Sequence, residues 1–163
     1  MQVEFTVRSY RPGDFLTLWK IHQSCFEPQI AYSQQELKRY IRWPSAFSLI
    51  AEHKTTGNRL ADDTRDDLSI IGFLIADLGT TAGHIITIDV RAEARGNGVG
   101  SVLLDTAEKH LRSASRRIVR LETAVDNLAA LNFYKKHDYS VVKTMPRYYS
   151  NGVDALVLEK DLH

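Results

Sequence analysis

The chain has 163 residues, of which 44% are hydrophobic and 25% are charged, and its 21 basic and 20 acidic residues give a formal net charge of +1. This length and composition predict a single globular domain over residues 1–163, and the balanced charge excludes a broad electrostatic surface for nucleic acid. One cysteine cannot form an internal disulfide, no run of about 20 apolar residues predicts a membrane span, and no signal-peptide core is recognisable, so we expect a cytoplasmic protein.

The first elements predicted along the chain are a strand and a helix. Residues 3–10 alternate between apolar and polar side chains, and Pro12-Gly13-Asp14 interrupts this strand. Asp14 is placed to cap the helix, which ends before Pro28. The apolar face of the helix comprises Phe15, Leu18, Trp19, His22, Cys25 and Phe26. We interpret His22 as a packing residue, because no second residue of a metal-binding type has ligand spacing with it.

A second helix is predicted after a short loop. Ser33 and Glu36 form a capping box that opens this helix, and its inner face carries Leu37, Tyr40 and Ile41. The loop of residues 27–32 presents aromatic and apolar side chains between the two helices. Loops in such positions often bind substrate, because a rigid scaffold places them at the surface.

Two strands follow, with a polar insert between them. Residues 46–53 and 68–77 are dominated by β-forming residue types. The composition of residues 54–67 predicts a mobile loop. The acidic cluster at residues 62–67 lacks the spacing of a calcium-binding loop, so we interpret these carboxylates as solvated and expect no metal.

The centre of the chain predicts a strand, a glycine loop and a helix. Residues 85–90 are β-branched and apolar, and Gly96, Gly98 and Gly100 follow them. Apolar and packing positions then recur at helical spacing at Val99, Val102, Leu103, Thr106, His110 and Leu111. Glycines at a helix start let an anion approach the unpaired N–H groups of the first turn, so the loop predicts an anion site. It matches neither a triphosphate-binding loop nor the dinucleotide fingerprint.

The last part of the chain predicts a strand, a helix and two strands. Residues 117–124 alternate, with Val119, Leu121 and Thr123 on one face, and Glu122 lies near the end of this strand. A carboxylate without a task would be costly in a central strand. Residues 127–137 predict a helix capped by Asp126 or Asn127, with an apolar face of Leu128, Leu131, Phe133 and Tyr134. Residues 139–145 and 155–160 predict the final strands, joined through an Asn151-Gly152 turn.

Two groups of residues resemble a known superfamily. The segment Arg95-Gly96-Asn97-Gly98-Val99-Gly100 is similar to the Arg/Gln-x-x-Gly-x-Gly/Ala loop by which GNAT N-acetyltransferases hold the pyrophosphate of acetyl-CoA. Residues 84–162 resemble the branch of ribosomal-protein alanine acetyltransferases and N-terminal amine acetyltransferases. That likeness rests on Leu121-Glu122 with Asp126-Asn127-x-x-Ala130-x-x-Phe133-Tyr134, and on the hairpin Arg147-Tyr148-Tyr149-Ser150-Asn151-Gly152.

The resemblance implies an α/β fold with a mixed, mainly antiparallel, seven-stranded sheet flanked by about four helices. The central strand and the strand of residues 117–124 should part to admit the pantetheine of acetyl-CoA, the expected co-substrate. Backbone groups of Ile88, Asp89 and Val90 should pair with the pantetheine. The amides expected to hold the pyrophosphate belong to Arg95, Gly96, Asn97, Gly98, Val99, Gly100 and Ser101. Asn127 either contacts the cofactor from the opposite wall or only caps its helix.

The same resemblance implies catalytic roles for two residues. Glu122 matches the position of the base, and Tyr134 matches the acid beside the leaving thiolate. Glu122 could instead pair with Arg120 or Arg147, and Tyr134 could serve only in packing. His84, at the start of the central strand, is a second candidate for the base.

The implied acceptor is the α-amine of a protein or peptide N-terminus. The residues expected to bind it are Phe26, Ile30, Tyr32, Tyr148 and Tyr149. A small-molecule amine is an alternative acceptor, and a non-catalytic sensor of acyl-CoA is an alternative function. We expect a monomer or homodimer that binds neither nucleic acid nor membrane.

Overall fold

The structure is a computed structural model that describes residues 3–54 and 68–163. The predicted insert and its acidic cluster fall on residues 55–67, which lie outside the described residues. Within the described residues the chain forms a seven-stranded sheet and four α-helices. These elements are β1 (Phe5–Ser9), α1 (Phe15–Cys25), α2 (Gln34–Arg42), β2 (Ala46–His53), β3 (Ile70–Asp77), β4 (Gly83–Val90), α3 (Val99–Ser113), β5 (Ile118–Ala124), α4 (Leu128–Lys136), β6 (Ser140–Met145) and β7 (Ala155–Asp161).

The sheet has the strand order β1-β2-β3-β4-β5-β7-β6, and all neighbouring pairs are antiparallel except β4 and β5. The parallel pair is joined only where Gly83 faces Val119 and His84 faces Arg120. Beyond these positions the two strands separate and leave a cleft in the middle of the sheet. The predicted mixed sheet with parted central strands is therefore confirmed.

Helices cover both faces of the sheet and form two apolar clusters. On one face α3 and α4 pack over the sheet through residues such as Leu103, Leu111 and Leu131. On the other face α1 and α2 contribute Leu18, Ile21 and Leu37. Because β3 is covered on both sides, all its residues from 70 to 76 are buried, which explains its unbroken apolar sequence.

The helix α3 starts at Val99, as predicted, but only part of the predicted face is buried. Val99, Leu103 and Leu111 are buried, whereas Val102 is 41% exposed, and Thr106 and His110 also lie outside the buried set. The buried positions are Val99, Leu103, Leu104, Ala107, Glu108 and Leu111. The helix approaches β4 closely because Gly83 lacks a side chain. A Cβ there would lie 2.4 Å from a methyl carbon of Leu111.

Helix ends agree with the predictions in part. Ser33 and Glu36 form the predicted capping box of α2, and the Asn127 side chain caps α4 by accepting from the Ala130 N–H at 3.2 Å. The prediction that the Asp14 side chain caps α1 is wrong, because its carboxylate binds Arg8 and the backbone N–H of Arg11 instead.

Two further features of the helices bear on the predictions. Leu128, the first residue of α4, is 69% exposed and does not belong to the apolar face predicted for that helix. No helix in residues 3–54 and 68–163 is long and apolar enough to cross a membrane.

Candidate active site

The parting of β4 and β5 opens two adjoining cavities of about 480 and 460 Å³. The first lies against α4 and the loop that precedes α3. The second lies against α1, α2 and the hairpin segment before β7. The residues that line both cavities are Cys25, Phe26, Ile88, Asn127, Ala130 and Tyr134. A ligand in the first cavity can therefore reach a ligand in the second.

The first cavity has an anion-binding geometry where α3 begins. Gly96 and Gly98 have φ angles of 79° and 80°, and no atom lies within 4 Å of the place where either residue would carry a Cβ. Gly98 is the N-cap of α3, so the unpaired N–H groups of the first helical turn lie at this cavity. The space and the helix dipole fit a phosphate group. The loop and helix residues that line the cavity are Arg95, Gly96, Gly98, Val99, Gly100 and Ser101.

The edge of β4 that faces the cleft offers backbone groups for an added strand. The Arg91 N–H donates to a carbonyl of β3 at 2.9 Å. Alternate residues of an antiparallel strand face the same neighbour, so Asp89 also faces β3, whereas Ile88 and Val90 face the cleft. The Arg95 side chain donates to the Val90 carbonyl at 3.1 Å. Ile88 is therefore the residue whose backbone is most available to an extended ligand with amide groups.

Of three residues predicted to bind the cofactor, Asn97, Asp89 and Asn127, only Asn127 lines the first cavity. Asn97 does not line the cavity, because its side-chain amide donates to two carbonyls of its own loop, at 3.1 and 3.2 Å. The Asp89 side chain is buried against α1. Asn127 lines both cavities while its oxygen caps α4, so its NH₂ group remains able to donate to a ligand. The two interpretations of Asn127 are therefore compatible.

Aromatic and apolar side chains form much of the wall of the second cavity. All residues predicted to bind the acceptor line it, namely Phe26, Ile30, Tyr32, Tyr148 and Tyr149. Tyr40 of α2 and Ile86 of β4 line it as well, and the sequence gives no separate signal for them. The rings of Tyr32 and Tyr40 pack with centroids 4.8 Å apart, and those of Tyr148 and Tyr149 with centroids 5.0 Å apart. Burial raises the pKa of Tyr149 to about 12, so its hydroxyl remains protonated near neutral pH.

The charged residues that line the second cavity are acidic. They are Glu27, Glu122 and Asp126, and no Lys or Arg belongs to its described lining. Such a cavity attracts cationic amines and repels anionic ligands. Among the described residues, no three His, Cys, Asp or Glu side chains are grouped as metal ligands.

Glu122 and His84 are paired where β4 and β5 part. The His84 Nε2 lies 2.6 Å from a carboxylate oxygen of Glu122, and the two side chains are 41% and 24% exposed, respectively. Glu122 lines the second cavity, whereas His84 does not, so the imidazole reaches the cavity through the carboxylate. Arg120, an alternative partner for Glu122, pairs with Glu159 on β7 instead. The geometry suits a carboxylate base backed by a histidine.

Tyr134 lies where the two cavities meet. It is 9% exposed and lines both of them. No hydrogen bond joins its hydroxyl to another residue that the structure describes. Burial and, second, the negative charge of Asp89 raise the pKa of Tyr134, which keeps the phenol protonated. The hydroxyl is therefore able to donate a hydrogen bond or a proton to a ligand.

Comparison with known proteins identifies the family. Residues 15–139 match the profile of the family described as Acetyltransferase (GNAT) family. The chain therefore belongs to the GNAT acetyltransferases, a family of acyltransferases that use acetyl-CoA, and the predicted family and fold are confirmed.

Similar proteins include relatives named N-alpha-acetyltransferase. An N-alpha-acetyltransferase 30 from Schizosaccharomyces pombe is 36% identical over 126 residues, which cover 76% of this chain and 77% of that protein. An uncharacterized N-acetyltransferase from Methanocaldococcus jannaschii is 35% identical over 95 residues, which cover 58% of this chain and only 61% of that protein. The crystal structure of Ard1 from Thermoplasma volcanium superposes with a TM-score of 0.81 and 28% identity, covering 98% of each chain.

Proposed function

We propose that this protein transfers the acetyl group of acetyl-CoA to the α-amine of a protein or peptide N-terminus. The observation that carries the proposal is the meeting of two cavities at Tyr134, with the Glu122–His84 pair on the second one. One cavity has the anion-binding loop that acetyl-CoA requires, and the other has an acidic, aromatic wall suited to an amine. The relatives named N-alpha-acetyltransferase support this acceptor class.

Acetyl-CoA supplies an acetyl group activated as a thioester. The N–H groups from the Gly96–Ser101 loop and the start of α3 hold its pyrophosphate, and the Ile88 backbone pairs with an amide of the pantetheine. Asn127 donates from the opposite wall. These contacts direct the reactive end toward Tyr134, where the first cavity opens into the second.

Transfer proceeds by direct attack of the amine on the thioester, without a covalent enzyme intermediate. Glu122 accepts a proton from the amine, directly or through water, and so leaves the nitrogen lone pair free to attack. His84 holds the Glu122 carboxylate in place. As the carbon–sulfur bond breaks, Tyr134 donates a hydrogen bond and then a proton to the sulfur, and the second proton that the nitrogen loses as the amide forms returns through water to the phenol.

The acceptor lies between the loop of residues 26–33, called the α1–α2 loop, and the hairpin that carries Tyr148 and Tyr149. The Ser150 hydroxyl donates to the Gln29 carbonyl and joins the two segments. An α-amine with a pKa near 7.8 is about one-third neutral at pH 7.5, whereas a lysine amine with a pKa near 10.4 is neutral about once in a thousand. A carboxylate base therefore needs to deprotonate a smaller fraction of an α-amine than of a lysine side chain.

A competition between amines tests the acceptor. A peptide with a free N-terminus and no lysine should be acetylated at least about tenfold faster at pH 7.5 than an N-terminally blocked peptide that carries one lysine, because far more of its amine is neutral. Mass spectrometry locates the acetyl group. Faster modification of the lysine peptide would refute the proposed acceptor.

Two controls separate the alternatives in that experiment. A panel of polyamines and amino sugars tests for a small-molecule acceptor, and release of free CoA thiol reports any turnover. A non-catalytic sensor would bind acetyl-CoA without releasing thiol in the presence of any of these amines.

Two substitutions of Gly98 test the anion site. Asp and Asn both tolerate a left-handed backbone, so Gly98→Asp and Gly98→Asn impose similar strain, but only the aspartate places a negative charge beside the pyrophosphate. Acetyl-CoA at about 100 times its Kd should stabilise the wild type by about 2.7 kcal/mol. Thermal denaturation should show this stabilisation lost in Gly98→Asp and retained in part in Gly98→Asn. Equal stabilisation of both variants would remove the loop from the cofactor site.

A further inference from the structure

A buried polar cluster connects β4 to the α1–α2 loop. The His22 Nδ1 lies 2.6 Å from one carboxylate oxygen of Asp89, and the Thr87 hydroxyl donates to the other at 2.5 Å. The side chains of His22 and Asp89 are 2% and 0% exposed. A buried carboxylate is costly unless it is paired, so this cluster requires a structural or functional reason.

The contacts define which nitrogen of His22 carries the proton. The backbone N–H of Tyr32 donates to the His22 Nε2 at 2.9 Å, so that nitrogen has no proton. The Nδ1 therefore carries it and donates to Asp89. Both nitrogens of the ring are used, and Asp89 fixes the ring in the tautomer that can accept from Tyr32.

His22 also packs against the two aromatic residues at the ends of the α1–α2 loop. Its ring is stacked on that of Tyr32, with centroids 5.2 Å apart and planes at 6°, and lies 4.8 Å from that of Phe26. Phe26 and Tyr32 both line the second cavity. The histidine thus holds one wall of that cavity by a backbone hydrogen bond and by two ring contacts.

Tyr32 has a second hydrogen bond, to Gln23, which is more exposed to solvent than its hydrogen bond to His22. The Gln23 side chain donates to the Tyr32 carbonyl at 3.1 Å on the exposed side of the loop. Water can replace an exposed hydrogen bond, whereas the Tyr32 N–H next to buried His22 would be left without a partner. His22 is therefore the anchor, and Gln23 provides a matched control.

We propose that His22, oriented by Asp89, is a positioning residue that holds the α1–α2 loop in the conformation that binds the acceptor. It acts through Phe26 and Tyr32, and its own ring also lines the second cavity beside them. The proposal rests on the proposed function for the identity of the acceptor. Loss of the anchor should weaken acceptor binding more than acetyl-CoA binding, because Tyr32 lines only the second cavity, whereas Phe26 lines both.

The test compares two replacements of His22. An asparagine places its amide nitrogen near the position of Nδ1 and can still donate to Asp89, but its side chain is too short to bring an acceptor to the position of Nε2. A glutamine is long enough to offer its oxygen to the Tyr32 N–H. Hydrogen exchange of the Tyr32 amide should accelerate about tenfold or more in His22→Asn, and less in His22→Gln, because its part-buried hydrogen bond to residue 22 is lost only in the first. Gln23→Ala should leave the exchange within about threefold of the wild type.

Steady-state kinetics and binding complete the test. With the free-N-terminus peptide as acceptor, His22→Asn should raise KM about tenfold, with kcat changed less than about threefold and the Kd of acetyl-CoA within about twofold. His22→Gln should recover part of the loss in KM. Unchanged exchange or unchanged KM in His22→Asn would overturn the proposal, as would a rise in the Kd of acetyl-CoA that matches the rise in KM.

The exchange experiment needs no acceptor. If wild-type protein acetylated no peptide at all, the proposed function would fail, while exchange of the Tyr32 amide would still decide whether His22 anchors the loop.

Discussion

Replacing Tyr134 with phenylalanine should lower kcat by about 10² to 10⁴ and leave the affinity for acetyl-CoA nearly unchanged. The substitution keeps the ring that lines both cavities and removes only the hydroxyl, which we propose hydrogen-bonds and protonates the leaving sulfur. Single-turnover kinetics at saturating acetyl-CoA measure the chemical step, and calorimetry measures binding. A variant with wild-type kcat would show that Tyr134 only packs.

The pH profile of the wild type gives a second check on Tyr134. Burial and the charge of Asp89 raise the pKa of Tyr134 above the ordinary value of about 10 for tyrosine, so the phenol loses its proton only at pH values above that range. Between pH 6 and 9 the acid therefore stays protonated. We expect no decline of kcat with rising pH in this window from the loss of that proton.

Tyr139 provides a matched control for the removal of a buried tyrosine hydroxyl. Its ring lies 5.5 Å from that of Tyr134, and its hydroxyl donates to the buried carboxylate of Glu108 at 3.0 Å, away from both cavities. Tyr139→Phe should lower the free energy of unfolding by about 1–3 kcal/mol, because Glu108 loses a donor. It should leave kcat near the wild-type value.

The strand, glycine loop and helix start at the first cavity could be predicted because they are neighbours in the chain. The strand to Val90, the glycines and the start of α3 at Val99 follow one another directly. A change of hydrophobic period and the backbone freedom of Gly96 and Gly98 depend only on residues that are close together in the chain, so they can be recognised from the sequence. The same reason made the Asn127 cap and the Ser33 capping box predictable.

Contacts between distant residues could not be predicted in this way. His84 and Glu122 are 38 residues apart, and His22 and Asp89 are 67 residues apart. Periodicity assigns a side chain to a face of its element, but it does not say which side chain from another element meets it there. His22 is accordingly predicted only as packing, although one of its ring nitrogens makes a buried hydrogen bond and the other a part-buried one.

The inner face of α3 shows a different limit of periodicity. Its true face includes Ala107 and the charged Glu108, which carry little or no hydrophobic signal. Glu108 is buried because Lys160 and the Tyr139 hydroxyl both bind its carboxylate. Only the fold supplies those partners, so a sequence pattern assigns that position to the surface.

Glu122→Gln should lower kcat by about 10² to 10⁴, because the amide cannot accept the proton of the amine. The loss should be larger at low pH, where few α-amines are neutral, and should shrink as the pH rises past the amine pKa near 7.8. Measuring kcat with the free-N-terminus peptide from pH 6 to 9 tests this dependence. Glu159→Gln removes the same charge from the adjacent strand β7, where Glu159 pairs with Arg120 outside the cavity, and it should leave the profile unchanged.

A double variant tests whether His84 acts through Glu122. Because His84 bonds the carboxylate and does not itself line the cavity, His84→Gln should lower kcat less than Glu122→Gln does. The combination of both should be no worse than Glu122→Gln alone, since residues that act as one unit lose their contribution together. Losses that multiply would show two independent bases.

If neither substitution changed kcat at any pH from 6 to 9, the rate would instead come from holding the amine against the thioester.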